Sequence, residues 1–215
     1  MTRSSSSARH AWSTLSFLAA ISALLAGCAS DQAGSDTKAT PDAEATPAPT
    51  FTKQEQAVYS AILAWTFGAP FYVLRNQSAI EGASPEETAE NFQYIAKDLG
   101  ALSGDTLVYY LQANQQQQAI PADLNLGAPY TVIDETQLRG LLASDTERWS
   151  GFFARFPDAP GVLDIGHVGF DVAGKQALAF LSWQAGGLAM WCRYFLLELD
   201  GDTWRVVDDV ITLEA

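Results

Sequence analysis

The chain has 215 residues, with 25 acidic against 12 basic side chains and a formal net charge of −13. That sign disfavours nucleic acid and anionic lipid head groups as partners. An apolar content of 48% with only two cysteines describes a protein that folds on a hydrophobic core, not on a disulfide framework.

The first element is a leader. Arg3, Arg9 and His10 precede any acidic residue, and the apolar run Leu15 to Ala26 follows, the order of a secretory signal. As a helix this run reaches only ~18 Å, short of the ~30 Å hydrocarbon core of a bilayer. It closes on Leu24-Leu25-Ala26-Gly27-Cys28, which resembles the lipobox of bacterial lipoprotein precursors. The resemblance implies a signal peptide over residues 1–27, cleavage between Gly27 and Cys28, and a thioether-linked diacylglycerol on Cys28. Each buried methylene adds about 0.8 kcal/mol and stable anchoring takes two chains, which a diacylglycerol supplies. The implied partner is the lipid bilayer and the implied location is the exported side of a bacterial membrane, in the cell envelope.

From Cys28 to Phe51 the chain is Ala, Ser, Thr, Asp and Pro, with no large apolar residue before Phe51. Such a segment buries too little to offset its ordering entropy, so it is read as a disordered tether. Residues 52–215 have the length and aromatic content of a single domain. Its one cysteine, Cys192, has no disulfide partner once Cys28 carries lipid, and is read as a small buried hydrophobe.

Within the domain, Ala57, Val58, Ala61, Ile62 and Trp65 recur at the helical period over Gln54 to Phe67. Phe71 to Leu74 reads as a short strand. Ser84-Pro85-Glu86-Glu87 is a capping box opening a helix to Leu99, with Phe92, Ile95 and Leu99 inward. A third helix follows Ser103, with Leu107, Tyr110 and Leu111 inward and Gln115 to Gln118 as its solvated last turn. Tyr130 to Ile133 reads as a strand, then helices run over Glu135 to Leu142 and Thr146 to Arg155, the second presenting Trp149, Phe152 and Phe153 on one side.

Past the turn cluster Pro157 to Gly161, four runs read as strands: Val162 to Phe170, Gln176 to Trp183, Arg193 to Leu199 and Trp204 to Leu213. Asp200-Gly201 as a two-residue hairpin loop would set Leu197 opposite Trp204, Phe195 opposite Val206 and Arg193 opposite Asp208, with a bulged turn as the alternative. The run Gln176 to Trp183 is apolar on both sides, as in a strand at the centre of a covered sheet. The expected fold is α+β, with N-terminal helices packed against a C-terminal antiparallel sheet, a meander of about four strands.

Several blocks, among them Gln56 to Ile62, Trp149-Ser150-Gly151-Phe152-Phe153, His167-Val168-Gly169-Phe170, Gly186-Gly187-Leu188 and Tyr194 to Glu198, are similar to a family of uncharacterised bacterial secreted proteins. The resemblance spans most of residues 52–215. Members of that family often carry a cysteine-rich Gly-Gly-Leu-Cys-Gly loop; here the stretch reads Gly186-Gly187-Leu188-Ala189-Met190, so any disulfide there is absent. The resemblance implies no known reaction.

For chemistry, His167 is the only histidine after the leader and the one candidate general base; a multi-histidine metal site is excluded. On a strand Asp164 points away from it, and Asp171 lies near a turn. There is no Gly-x-Ser-x-Gly elbow. Asp208 and Asp209 are strand neighbours and project to opposite faces, and Asp200-Gly201-Asp202 is too short for a calcium loop. No metal and no cofactor is expected. Trp183 and Trp191, beside the Gly186-Gly187 loop, are candidates for a peptide or glycan contact as well as for the core. The combined reading is a membrane-anchored envelope lipoprotein with a binding or structural role. The alternatives are an envelope hydrolase using His167 and a small-ligand carrier with an apolar pocket.

Overall fold

Helix α1 runs Lys53–Thr66 in the computed structural model, which describes residues 50–79, 85–143 and 148–215. The expected leader and tether over residues 1–49, with Gly27 and Cys28, lie outside the described residues, as do the Ser84 cap and the start of a helix at Thr146. A capping box opens α1: the Glu55 N–H donates to the Thr52 hydroxyl at 3.1 Å, and the Thr52 N–H donates to the Glu55 carboxylate at 2.7 Å. Gly68, at φ +56°, ends the helix in the left-handed conformation. The buried stripe is Glu55, Val58, Tyr59, Ile62 and Leu63, whereas Trp65, expected inward, is 54% exposed. The apolar pattern misplaced the stripe because its first member is a carboxylate.

Strand β1 (Tyr72–Arg75) leads to α2 (Pro85–Asp98) and α3 (Gly104–Ala113), where Phe92, Ile95, Leu99 and Tyr110 are buried as the spacing requires. The glutamine run is not the last turn of α3. Asn114 caps the helix and turns its amide inward, donating to the Tyr110 and His167 carbonyls at 2.9 and 2.8 Å. The chain after it leaves to meet the segment beyond β1, where the Ser78 N–H donates to the Gln118 carbonyl at 2.7 Å. Strand β2 (Tyr130–Ile133) precedes α4 (Glu135–Leu142), which Asp134 and Gln137 open with a second capping box, and α5 (Arg148–Arg155).

The remaining strands are β3 (Val162–Ile165), β4 (Gly169–Phe170), β5 (Gln176–Gln184), β6 (Met190–Asp200) and β7 (Thr203–Glu214). The sheet is therefore not a four-strand meander. It has seven strands in the order β2-β1-β3-β5-β6-β7, with β4 also on β5. β1 lies parallel to both β2 and β3, and the other pairs are antiparallel. Parallel neighbours need long crossovers, and the helices between β1, β2 and β3 supply them, which is how two short, isolated strands join the sheet.

β5 sits at the centre and is covered on both faces. Ala177, Ala179 and Leu181 pack with Val58, Tyr59, Ile62 and Leu63 of α1, while Leu178 packs with Phe92, Ile95 and Tyr110 on the other side. By the strand alternation carried through the β3–β5 register, that second side also holds Val73 and Val162 against Leu138 and Phe152 of α4 and α5. Gly169 is where α3 crosses β4: a side chain there would collide with the Thr106 carbonyl and with Tyr110.

The β6–β7 hairpin turns one residue later than expected. Asp200 pairs with Thr203 around Gly201-Asp202, so Leu199 faces Trp204 and Leu197 faces Val206. The face is unchanged, because sliding both loop positions preserves parity. Register shifts at Leu196/Leu197 and Cys192/Arg193 then carry Arg193 opposite Ile211, and its ion pair is with Asp209 at 3.3 Å instead of Asp208. Cys192 is half-buried, not fully enclosed.

Candidate functional site

The run Val162 to Phe170 divides into β3 and β4 because three side chains take over the backbone of Gly166 to Val168. The Gly166 N–H donates to the Tyr59 hydroxyl at 3.0 Å, the His167 N–H to Asn114 Oδ1 at 2.6 Å, and the Val168 N–H to Glu55 Oε1 at 3.1 Å. Two of the carbonyls are met as well. Tyr59 reaches the Gly166 oxygen at 2.8 Å and Asn114 donates to that of His167 at 2.8 Å. A buried segment can leave a sheet only when its polar groups find such substitutes.

His167 itself is 4% exposed, and its Nδ1 lies 2.8 Å from Oε1 of Glu55, which is 5% exposed. Phe51 stacks on the imidazole with ring centres 4.4 Å apart. Burial alone would raise the Glu55 carboxyl, but hydrogen bonds from His167, Thr52 and Val168 and the charge of His167 outweigh it, so its pKa falls below the ordinary carboxylate value. Nε2 of His167 is enclosed with no hydrogen-bond partner among the described residues. A general base must come within hydrogen-bond reach of a substrate, and His167 lines none of the three described cavities. The pair bolts α1 to the loop between β3 and β4.

The other carboxylates expected near His167 lie elsewhere. Asp171 accepts the Lys175 and Gln176 N–H groups at 2.6 and 2.9 Å and closes the turn before β5. Asp164, on the opposite face of the sheet from α1, accepts from Arg75 Nε at 2.9 Å and from the Ser182 hydroxyl at 2.7 Å. Burial pushes its carboxyl above the ordinary value in spite of the Arg75 charge and the Ser182 hydrogen bond. Arg75 is shared with Glu135 and Gln184.

Trp183 and Trp191 do meet, stacked with ring centres 5.9 Å apart, and Phe67 joins them at 6.5 and 5.9 Å. Both are half-buried, the Trp183 indole donates to the Pro160 carbonyl at 2.9 Å, and Arg193 lies over the Trp191 ring at 4.9 Å. They form the margin of the core and not a free aromatic platform. Among the described residues the exposed tryptophan is Trp65, placed edge-on to Phe195 at 5.8 Å.

Trp65 lines an open groove of about 840 Å³ between the outer flank of α1 and the β6–β7 hairpin. Small residues of the helix, Ala57, Ala61 and Ala64, form part of its wall, and Lys53, Asn125, Asp202 and Arg205 place polar groups around it. The Gln56 amide is already committed, accepting from the Asn125 N–H at 2.7 Å and donating to the Phe51 carbonyl at 3.1 Å. An open hollow lined by Trp65 and Trp204 with several hydrogen-bonding groups suits a polar, extended ligand. Sequence reasoning missed it because Trp65 fits an inward helical spacing, and because the groove unites residues from α1, the loop before β2 and the hairpin.

Among the described residues no helix is long and apolar enough to cross a membrane, and no cluster of three or more His, Cys, Asp or Glu side chains could hold a metal ion. Comparison of the chain with protein families, with curated proteins and with solved structures finds no match.

Proposed function

We propose that the chain is an exported lipoprotein, held at a bilayer by acylated Cys28, whose domain binds a saccharide polymer of the envelope in the groove between α1 and the β6–β7 hairpin. The anchor rests on the leader and on Leu24 to Cys28. The binding role rests on one observation: a tryptophan that is 54% exposed lines the largest described cavity, where Lys53, Asn125, Asp202 and Arg205 offer hydrogen-bonding groups. The flat indole suits the C–H face of a sugar ring, and the polar groups suit its hydroxyls.

Co-sedimentation of the mature protein with purified peptidoglycan tests this reading. The native chain is expected in the pellet and Trp65→Ala in the supernatant, with an apparent affinity at least tenfold lower, a loss of about 1.4 kcal/mol. A native chain that stays in the supernatant, or a Trp65→Ala variant that pellets equally well, contradicts it.

A further inference from the structure

The sheet ends in two edges that the sequence treats differently. β7, the edge on one side, carries Arg205, Asp208, Asp209 and Glu214 and two register shifts against β6, the usual means of blunting an edge against further pairing. β2, the edge on the other side, is Tyr130-Thr131-Val132-Ile133, with no charge and no proline, and its pairing with β1 shows no register shift.

The backbone of β2 is open in a defined way. The Tyr72 N–H donates to the Pro129 carbonyl and the Asn76 N–H to that of Ile133, both at 3.0 Å. By the alternation of a parallel ladder, Thr131 and Ile133 turn their polar groups to β1, while Tyr130 and Val132 turn theirs outward. Among the described residues nothing accepts from or donates to those outward groups.

Two hollows of about 480 and 450 Å³ flank this edge. Thr131, Arg155 and Phe156 line both, so they form one trough. The first adds Phe71 and also Asp158; in the second, between β2 and α4, Arg155 is the only charged lining residue and Val132, Ile133, Leu141 and Phe156 are apolar. Arg155 lies over the Phe156 ring at 5.4 Å and has no carboxylate partner among the described residues.

The geometry points to the outer edge of β2 as a site of strand addition, taking an extended segment of a partner polypeptide that carries an acidic side chain opposite Arg155. Main-chain bonds to Tyr130 and Val132 hold the segment, and the flanking hollows take its alternate side chains. The unpaired guanidinium chooses the charge. The surface is separate from the saccharide groove and does not depend on it.

The test uses the mature chain and a fluorescein-labelled hexapeptide, Thr-Val-Glu-Val-Thr-Val, read by fluorescence anisotropy. Saturable binding is expected, weakened at least tenfold when the central Glu of the peptide is replaced by Lys. Val132→Pro removes an outward N–H while leaving the inward ladder intact, and should abolish binding. Arg155→Glu leaves the backbone alone and should reverse the preference in favour of the Lys peptide, which keeps the test valid if the proline variant misfolds. No saturable binding by the native chain, or equal binding by Arg155→Glu to both peptides, overturns the proposal. So does a native dimer that Val132→Pro dissociates, because the edge then belongs to a second copy. Peptide binding only after removal of residues 28–49 also overturns it, since the edge is then covered by the chain itself.

Discussion

Two carboxylates sit on opposite faces of the same sheet; burial pushes both pKa values up, yet the net shifts have opposite signs. Glu55 is almost fully enclosed, yet its pKa is lowered; Asp164 is half-buried, yet its pKa is raised. The difference lies in the donors. Glu55 receives the N–H groups of Thr52 and Val168 and faces His167. Asp164 has the Ser182 hydroxyl and a guanidinium that Glu135 and Gln184 also claim. Depth therefore does not decide the cost of a buried charge; the number and exclusivity of its partners does.

The largest expected effect comes from removing Glu55. Glu55→Leu leaves the buried Val168 N–H and the buried His167 imidazole, and also the part-buried Thr52 N–H, without their acceptor, and at about 1–3 kcal/mol for each buried group left unsatisfied the loss should be roughly 3–5 kcal/mol. Urea unfolding at neutral pH measures it. Asp164→Asn should cost no more than about 1 kcal/mol, because the pair it breaks is partly solvated. Equal losses in the two variants would erase the distinction.

The pH dependence should separate the same two residues. A lowered pKa means that the Glu55 contribution is full above the ordinary carboxylate value and is lost as pH falls through the lowered one. A raised pKa gives Asp164 the opposite sign: its contribution is present below the ordinary value and is lost as pH rises through the raised one. Stability measured between about pH 3 and 7 should therefore lose acid sensitivity in Glu55→Leu, while Asp164→Asn should no longer lose stability on the rising side. A Glu55→Leu variant with an unchanged acid limb would assign that limb to other groups.

Smaller effects sharpen the picture around the bolt. Tyr59→Phe removes the hydroxyl shared by Gly166 and Phe180 and should cost about 1–3 kcal/mol, with faster amide exchange at Gly166 as the specific sign. Gly169→Ala forces a methyl against the Thr106 carbonyl and Tyr110, for about 1–3 kcal/mol of overpacking. Trp65→Ala, at an exposed position, should fall within about 0.5 kcal/mol of the native protein while removing saccharide binding.

Much of the fold was legible because it follows from local rules. The helix at 135–142 obeys capping, and the helix at 85–98 and the strands at 72–75 and 130–133 follow the periodicity and propensity of their residues. What failed depended on long-range partners. A carboxylate that bonds a loop more than a hundred residues away turned the α1 stripe, and the same loop, by recruiting Asn114, kept the glutamine run out of α3. The hairpin loop moved by one position because Gly201, at φ +61°, leads the turn instead of following Asp200. His167 was visible as the lone histidine, but its partner Glu55 was not, since nothing local distinguishes that glutamate from a surface one.

The bolt also marks where the chain enters the domain. Phe51 stacks on His167 and the Thr52 N–H is held by Glu55, so the first described residues before α1 are fixed to the loop between β3 and β4. The proposed anchor is tested most directly by labelling with radioactive palmitate in cells that export the protein. Label should enter the native chain and be lost entirely in Cys28→Ser. Label retained by Cys28→Ser, or none in the native chain, would contradict the anchor.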